Sequence, residues 1–304
     1  MKLSITECFR EKMGERSLRL FDAHCHLQSP RLAPHLDAAL AAAVEAGVVA
    51  CAVNATCEAD WQDVLDLAAR QSTPALRPSL GVHPWHLHTL TPGWEGRLRA
   101  ALITNPSAGV GESGLDRAPK GLASADEALQ AAALSTHIAL ALDLHRPLSL
   151  HCVRATGALT ELLTARAPFP AGVVLHAWHG SADATRRLAQ LEGVHFSVGA
   201  RQLLADPPRV GEGVAQPVSE KARAMLAAIP AGRLLVETDA PDGWVPGVGL
   251  PVVGGAPTPV NQTPVNHPAT VARVVDLVAE ATGWEVAAVA AASFRAAERV
   301  FGPS

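Results

Sequence analysis

The chain has 304 residues, of which 48% are hydrophobic and 18% are charged, and its formal net charge is −4. This length suits two average domains or one large α/β barrel, and the hydrophobic content excludes a disordered chain. Basic residues are scattered along the sequence, which argues against a protein that coats nucleic acid by charge alone. The composition is compatible with a nuclease whose active site supplies positive charge as metal ions.

Cysteine usage and the N-terminus predict a cytoplasmic protein. The five cysteines are irregularly spaced and include no CxxC pair, which is typical of reduced thiols. Residues 1–17 carry seven charges and no apolar stretch, so they predict neither a signal peptide nor an anchor. We interpret them as an N-terminal extension that precedes a single domain over 18–304. No run of 18 apolar residues occurs, so we expect no membrane span.

Short apolar runs alternate along the chain with Ala-, Leu- and Arg-rich stretches of helical period. The predicted strands are 19–27, 48–55, 76–84, 107–115, 147–153, 171–178, 194–200 and 233–241. The predicted helices are 33–46, 58–71, 94–103, 124–145, 155–166, 181–191 and 219–228, with two more over 269–283 and 286–302. Eight strand–helix units predict a single α/β domain, a TIM (β/α)8 barrel. The rival is an open doubly wound sheet, but no GxGxxG turn follows the first strand.

Two longer segments, 201–219 and 242–268, are predicted to be loops. The second is dense in Gly and Pro and contains no Lys or Arg. It follows the eighth strand, on the face where barrel active sites are assembled. We therefore expect this segment to form a lid or a substrate wall.

Nearly every predicted strand ends in a side chain that can bind a metal. In the first strand His24 and His26 are two residues apart, so their imidazoles point to the same side. Other metal-competent residues at strand ends are His83, Glu112, His151, His176, Glu237 and Asp239. Active-site groups in such barrels come from the C-terminal ends of several strands. The residues predicted to bind two divalent ions at that end are His24, His26, Glu112, His151, His176 and Asp239.

A two-metal site of this composition predicts hydrolysis. Two ions a few ångströms apart can lower the pKa of a shared water towards neutrality and hold oxygens of the substrate. Glu112 can reach both ions, because each of its carboxylate oxygens can bind one. Imidazole and carboxylate donors suit Zn or Mn, whereas Mg prefers oxygen donors, so we expect two divalent ions from among Mg, Mn and Zn. Cys25 and Cys152 neighbour these residues, but strand alternation turns them towards the helices as core thiols.

Six segments resemble, in order and spacing, the motifs of the TatD family of metal-dependent hydrolases. These segments are FDAHCHL, GVHPWH, GESGLDR, LHCVRA, LHAWHGSA and LLVETDAP, and the resemblance spans residues 19–301. It implies a TIM barrel, a two-metal site and hydrolysis, chiefly of phosphodiester bonds in DNA. The same six ligands fall on the metal-binding positions of these motifs. The resemblance also places His83 beside the substrate, as a contact for a phosphate or the leaving group.

The chain departs from the family pattern at positions that concern substrate recognition. Trp85 stands where the family commonly has a second histidine, and Arg117 replaces an aromatic residue. Arg154 is shifted by one residue, Trp178 lies in an altered H-x-F-x-G motif, and the 242–268 segment lacks the usual basic residues. None of these changes touches a predicted metal ligand.

The leading hypothesis is a TatD-type deoxyribonuclease that acts on single-stranded DNA. Its catalytic residues would be Glu112, His83 and Asp239, with Asp239 binding metal and orienting or deprotonating the water. Predicted substrate contacts are Arg117, Arg154, Trp85 and Trp178, with Trp244 as a further candidate for base stacking.

An alternative is an amidohydrolase-like enzyme that cleaves a small ester, amide or lactone, or removes an acyl group from an acyl-tRNA type carrier. The neutral 242–268 segment favours this alternative. Glu112 stands where many amidohydrolases have a carboxylated lysine, which favours the nuclease. A barrel that only stores metal or assembles with partners fits poorly with an intact ligand set. The sequence does not fix the oligomeric state, and a monomer is the default expectation.

Overall fold

The computed structural model describes residues 18–205, 217–243 and 265–303. Eight strands form one sheet whose order follows the chain, and each strand pairs in parallel with the next. The pairing runs from Leu20 opposite Val48 to Val198 opposite Val236. The strands are β1 Leu20–Cys25, β2 Val48–Asn54, β3 Ala75–Leu80, β4 Gly109–Asp116, β5 Leu148–Val153, β6 Val173–Leu175, β7 Val194–Val198 and β8 Leu234–Val236.

Helices alternate with the strands and cover the outside of the sheet. The α-helices are α1 Leu36–Glu45, α2 Trp61–Arg70, α3 Trp94–Thr104, α4 Pro119–Ser124, α5 Glu127–Asp143, α6 Thr156–Thr164, α7 Ala182–Ala189, α8 Ala200–Leu203, α9 Glu220–Ala227, α10 Val271–Thr282 and α11 Val286–Phe301. Short 3-10 helices are Ala33–His35, Glu58–Asp60, Pro84–Thr89, Ala231–Arg233 and Pro268–Thr270. No helix of the described ranges combines the length and apolar character needed to cross a bilayer.

The sheet closes on itself between β8 and β1. The Asp239 amide donates to the His24 carbonyl (2.9 Å), and the His26 amide donates to the Ala240 carbonyl (2.6 Å). Cys25 and Ala240 form a parallel bridge at the same place. The architecture is therefore a (β/α)8 barrel, and the predicted TIM-barrel fold is confirmed.

Strand β1 alternates between the barrel interior and the outer helical layer. Phe21 and Ala23 pack in a hydrophobic cluster with Phe294 of α11, and the Phe21 ring stacks on Phe301 at 5.3 Å. His24, on the opposite face of the strand, points to the interior and lies 3.3 Å from Glu112. The first strand therefore receives its outer cover from the last helix.

Two glycines let β4 lie very close to β5 on either side of Glu112. Gly111 and Gly114 have positive φ values of 134° and 152°. A Cβ at Gly111 would lie 2.7 Å from the Ser149 carbonyl oxygen, and one at Gly114 would lie 2.0 Å from that of His151. The GESG segment thus needs glycine at both positions.

Several predicted boundaries differ from the structure. The predicted helix 124–145 begins later, at Glu127, because the Asp126 carboxylate accepts a hydrogen bond from the Leu129 amide (2.8 Å) and caps α5, while Ser124 ends the separate helix α4. The predicted strand 171–178 is regular only over Val173–Leu175, since Ala177 adopts a positive φ of 46°.

Both predicted loops fall partly outside the described residues. The first begins as helix α8 rather than as a loop, and residues 206–216 lie outside the described ranges. Residues 244–264, the greater part of the proposed lid, and the extension 1–17 lie outside them as well. The lid and the division into extension and domain stay predictions.

His137 of α5 is a buried histidine held in one tautomer by the backbone. The Val82 amide donates to its Nε2 atom (3.1 Å), and its Nδ1 atom donates to the Ala133 carbonyl (2.7 Å). Burial lowers the pKa of His137 to about 4. The folded chain therefore keeps this side chain neutral at a pH where the unfolded chain protonates it.

We expect His137 to make the fold sensitive to mild acid. Because its pKa is lower in the folded chain, its contribution to stability is complete above pH 6.5 and is lost as the pH falls towards 4. The loss amounts to about 3 kcal/mol of the free energy of unfolding. Urea unfolding of chelator-treated wild type and His137→Gln at pH 7 and pH 4.5 measures it. The wild type should lose more stability than the variant, and equal losses would contradict the prediction.

Candidate metal centre

The carboxylate of Glu112, in the middle of β4, lies at the centre of the site and is only 2% exposed. Its Oε2 atom lies 3.3 Å from Nε2 of His24 and 3.3 Å from Nε2 of His26, at and just beyond the end of β1. Asp239, which follows β8, places Oδ1 3.6 Å from Nε2 of His26. We call His24, His26 and Asp239 the Oε2 group.

The other oxygen of Glu112 faces a second set of imidazoles. Its Oε1 atom lies 2.7 Å from Nε2 of His176 and 3.2 Å from Nδ1 of His151. Nε2 of His83 is 3.5 Å from the same oxygen. These residues come from the ends of β5 and β6 and from the turn after β3, and we call them the Oε1 group. The structure thus brings all six predicted ligands and His83 together around one carboxylate.

Backbone contacts indicate which nitrogen of two histidines is free to bind a cation. Nδ1 of His26 donates to the Asn54 carbonyl (2.7 Å), so Nε2, which faces Glu112, is the nitrogen that a cation can bind in place of a proton. His83 is the reverse, because its Nδ1 accepts from the Trp85 amide (3.0 Å) and its Nε2 therefore carries the proton. Nε2 of His26 is therefore a candidate metal donor, whereas Nε2 of His83 presents a hydrogen to the site.

The charged groups of the site shift one another's pKa values. Burial raises the pKa of Glu112, but the neighbouring imidazoles, His176 first, outweigh it and hold this pKa well below its usual range. Burial lowers the pKa of His24 to about 4. Burial also raises the pKa of Asp239 to about 6, against the opposing effect of His176 and His26. An ionised Glu112 beside a neutral His24 is the protonation state in which both bind metals.

The donor set fits divalent cations. Nε2 of His24 and Nε2 of His26 are 3.2 Å apart, as are Nδ1 of His151 and Nε2 of His176. Two ring lone pairs at this distance repel each other unless a proton or a cation lies between them. His24, His26 and Glu112 offer three donor atoms within 4.8 Å of one another, a spacing that one ion can bridge. Nitrogen and carboxylate donors in this number are typical of Zn and Mn sites.

Comparison with known proteins decides the family. The family model described as TatD related DNase matches residues 21–302. The chain belongs to the TatD family. It is thus a metal-dependent hydrolase of TatD type, and the predicted family and general function are confirmed.

Individual TatD relatives cover most of the chain. The 3′-5′ ssDNA/RNA exonuclease TatD of Erwinia tasmaniensis is 29% identical over 93% of this chain and 99% of its own length. The uncharacterized metal-dependent hydrolase YjjV of Escherichia coli K12 is 32% identical over 74% of this chain and 80% of its own.

Solved structures of TatD-family proteins have the same fold as this chain. The crystal structure of YjjV, a TatD homologue, superposes with a TM-score of 0.77 at 27% identity, covering 95% of this chain and all of that one. A TatD family hydrolase from Entamoeba histolytica, at 17% identity and a TM-score of 0.76, shares the fold.

Asp116, which sequence analysis quoted within GESGLDR but did not assign, supports the Oε1 group. It is buried, and its Oδ2 atom accepts from the indole N–H of Trp85 (2.6 Å) and lies 3.4 Å from Nε2 of His151. A carboxylate on the outer nitrogen of a ligating histidine fixes the ring and its tautomer. Asp116 therefore aims Nδ1 of His151 at Glu112. Its place at the end of β4, where active-site residues of such barrels lie, is the sequence feature that could have identified it.

Two further carboxylates hydrogen-bond to backbone next to the candidate ligands. Asp22 accepts from the Thr238 amide (2.9 Å) and hydroxyl (2.5 Å), so it links β1 to the segment that carries Asp239. Glu237 accepts from the Ala177 amide (2.7 Å) and lies 3.5 Å from Nδ1 of His176, outside hydrogen-bond geometry. Both carboxylates hold ligand-bearing backbone in place.

The predicted substrate contacts differ in their burial and in their partners. Trp178 is 2% exposed, donates to the Thr185 hydroxyl (2.9 Å) and packs on Phe196, so it belongs to the core and its predicted substrate contact is corrected. Arg117 pairs with Glu127 (2.5 Å), and both side chains are exposed. Arg154 is exposed just after β5. Trp85 is half-buried beside Asp116, and Trp244 lies outside the described residues.

Glu112→Gln is expected to remove bound metal from both groups. The amide keeps the shape of the side chain but loses the negative charge that the Oε1 and Oε2 groups share, so affinity should fall by at least about 100-fold. Elemental analysis after dialysis measures the metal content. Glu127→Gln, which removes a surface carboxylate paired with Arg117, should keep the wild-type content. Full metal occupancy in Glu112→Gln would show that Glu112 is not the shared ligand.

Proposed function

We propose that this TatD-family hydrolase is a nuclease that shortens single-stranded DNA or RNA from the 3′ end and uses two divalent ions. The observation that carries the proposal is the division of the surrounding imidazoles between the two oxygens of Glu112. A carboxylate so placed can bridge two ions, one in each group. Relatives named 3′-5′ ssDNA/RNA exonuclease support the substrate class and the direction.

Bound ions would supply positive charge to the phosphodiester oxygens and lower the pKa of a water molecule. Mn or Zn suits the donor set best, and Mg is the alternative if availability decides. The four described cysteines are free thiols, which supports a cytoplasmic location. A monomer stays the expectation for the oligomeric state.

Asp239 is placed to handle the attacking water. Its side chain is 27% exposed, in contrast to the buried Glu112, so one carboxylate oxygen can face the substrate while Oδ1 stays beside His26. The Asp239 amide is fixed by the His24 carbonyl (2.9 Å). Asp239 would orient the water and accept its proton.

His83 is placed to assist the departing oxygen. Its Nε2–H points into the site, 3.5 Å from Oε1 of Glu112, and the Trp85 amide holds the ring by its other nitrogen. A donor at that position can stabilise charge on the leaving oxygen of the phosphodiester. This role matches the family resemblance, in which the residue contacts a phosphate or leaving group.

A second candidate function is hydrolysis of a small ester, amide or lactone. The observation in its favour is that residues 242–268 contain no Lys or Arg, while the charge of Arg117 is paired with Glu127. A neutral wall suits a small apolar substrate better than a polyanion.

A 5′-labelled single-stranded oligonucleotide distinguishes the two functions. The metal-loaded enzyme should produce a ladder that shortens from the 3′ end, EDTA should stop it, and Asp239→Asn should lower kcat by about 1000-fold. Glu127→Gln serves as the surface control. If p-nitrophenyl esters are hydrolysed while DNA and RNA stay intact, the nuclease proposal is wrong and the second candidate is favoured.

His83→Gln separates the donor role from a ligand role. We expect it to keep the wild-type metal content and to lower kcat by about 100-fold, because the lost group donates to the substrate and binds no ion. Elemental analysis and steady-state kinetics on the same preparation measure both quantities. Loss of one metal equivalent would instead identify His83 as a ligand.

A further inference from the structure

Lys120 lies over the face of Trp85 at the edge of the metal centre. Its ammonium nitrogen is 3.4 Å from the centre of the indole ring, a cation–π contact. Lys120 is exposed on α4, whereas Trp85 is half-buried in the 3-10 helix Pro84–Thr89. Neither the family motifs nor the predicted substrate contacts include this lysine.

Trp85 is a fixed platform rather than a mobile surface side chain. Its indole N–H donates to Oδ2 of Asp116 (2.6 Å), and the other oxygen of Asp116 accepts from the Ala118 amide (2.7 Å). The ring centre is 4.9 Å from that of His83 and 6.3 Å from that of His151. The platform therefore holds Lys120 beside two residues of the Oε1 group.

The charge on Lys120 is not neutralised by a carboxylate in the described part of the chain. Two other exposed cations, by contrast, are paired with carboxylates, Arg117 with Glu127 (2.5 Å) and Arg31 with Asp242 (2.6 Å). An aromatic ring orients an ammonium but leaves its full charge available to an anion. Lys120 also raises the potential around its half-buried neighbour His86, whose pKa is lowered mainly by burial and partly by this lysine.

We propose that Lys120, held by Trp85, binds the phosphate next to the scissile phosphate of a single-stranded substrate. The two ring distances place the ammonium within about 10 Å of the His151 ring, close enough to meet a phosphate that flanks the one held at the Oε1 group. This inference rests on the proposed nuclease function. It supplies the positive charge that residues 242–268 lack.

Substrates with different numbers of phosphates test the inference. A thymidine trinucleotide contains neighbouring phosphates, whereas the p-nitrophenyl ester of thymidine 5′-monophosphate contains only the phosphate that is cleaved. For Lys120→Gln, we expect the ratio of kcat/KM for the trinucleotide to kcat/KM for the ester to fall about tenfold. Lys120→Arg, which keeps the charge, should restore most of it. Lys221→Gln, an exposed lysine of α9, is the matched control and should keep the wild-type ratio.

Salt dependence provides a second readout. Loss of one phosphate contact should reduce the slope of log kcat/KM against log salt concentration by about 0.7 for the trinucleotide. Wild-type cleavage of both substrates with an unchanged ratio and slope in Lys120→Gln would overturn the role of Lys120 and leave the nuclease proposal intact. A metal-loaded wild type that hydrolyses neither substrate would overturn both.

Discussion

The organisation of this protein depends on one buried negative charge, that of Glu112. A carboxylate moved out of water costs several kcal/mol unless partners compensate it. Here five imidazoles from the ends of four other strands or their following turns surround it. They can do so only if the strand ends converge, which the closed parallel barrel ensures. The same convergence brings ring nitrogens of neighbouring histidines to 3.2 Å from each other, a distance that a proton or a cation between them would stabilise. The barrel therefore concentrates negative charge and nitrogen donors at the same place.

The convergence of the candidate metal ligands was predictable from the sequence, because it follows from strand period and strand order alone. Alternation places His24 inside and Phe21 outside, and the ends of consecutive parallel strands must meet. The burial of Trp178, which the sequence did not predict, has an equally specific cause. Ala177 turns the chain through a positive φ, which ends β6 earlier than its apolar run suggests.

The roles of the supporting carboxylates could not be predicted from the sequence, even though Asp116 stands at a strand end. A metal ligand can be recognised by its residue type and place, but a carboxylate that orients a ligand is defined by its partner. Asp116 acts through Trp85, 31 residues away, and Asp22 through Thr238, 216 residues away. Only the folded chain brings these pairs together. Trp85, at a position where the family resemblance suggested a histidine, donates a hydrogen bond to Asp116 and provides a flat surface at the edge of the site.

The seam between β8 and β1 has a consequence for how the molecule is made. β1 emerges first from the ribosome, yet its outer face is covered by α11, where Phe301 stacks on Phe21, and its free edge is joined by Asp239 and Ala240. Neither partner exists until the chain has been synthesised as far as β8 and α11. The nascent chain must therefore carry an uncovered apolar strand while β2 to β7 are made, a period in which chaperones that shield such segments would have the greatest effect on yield.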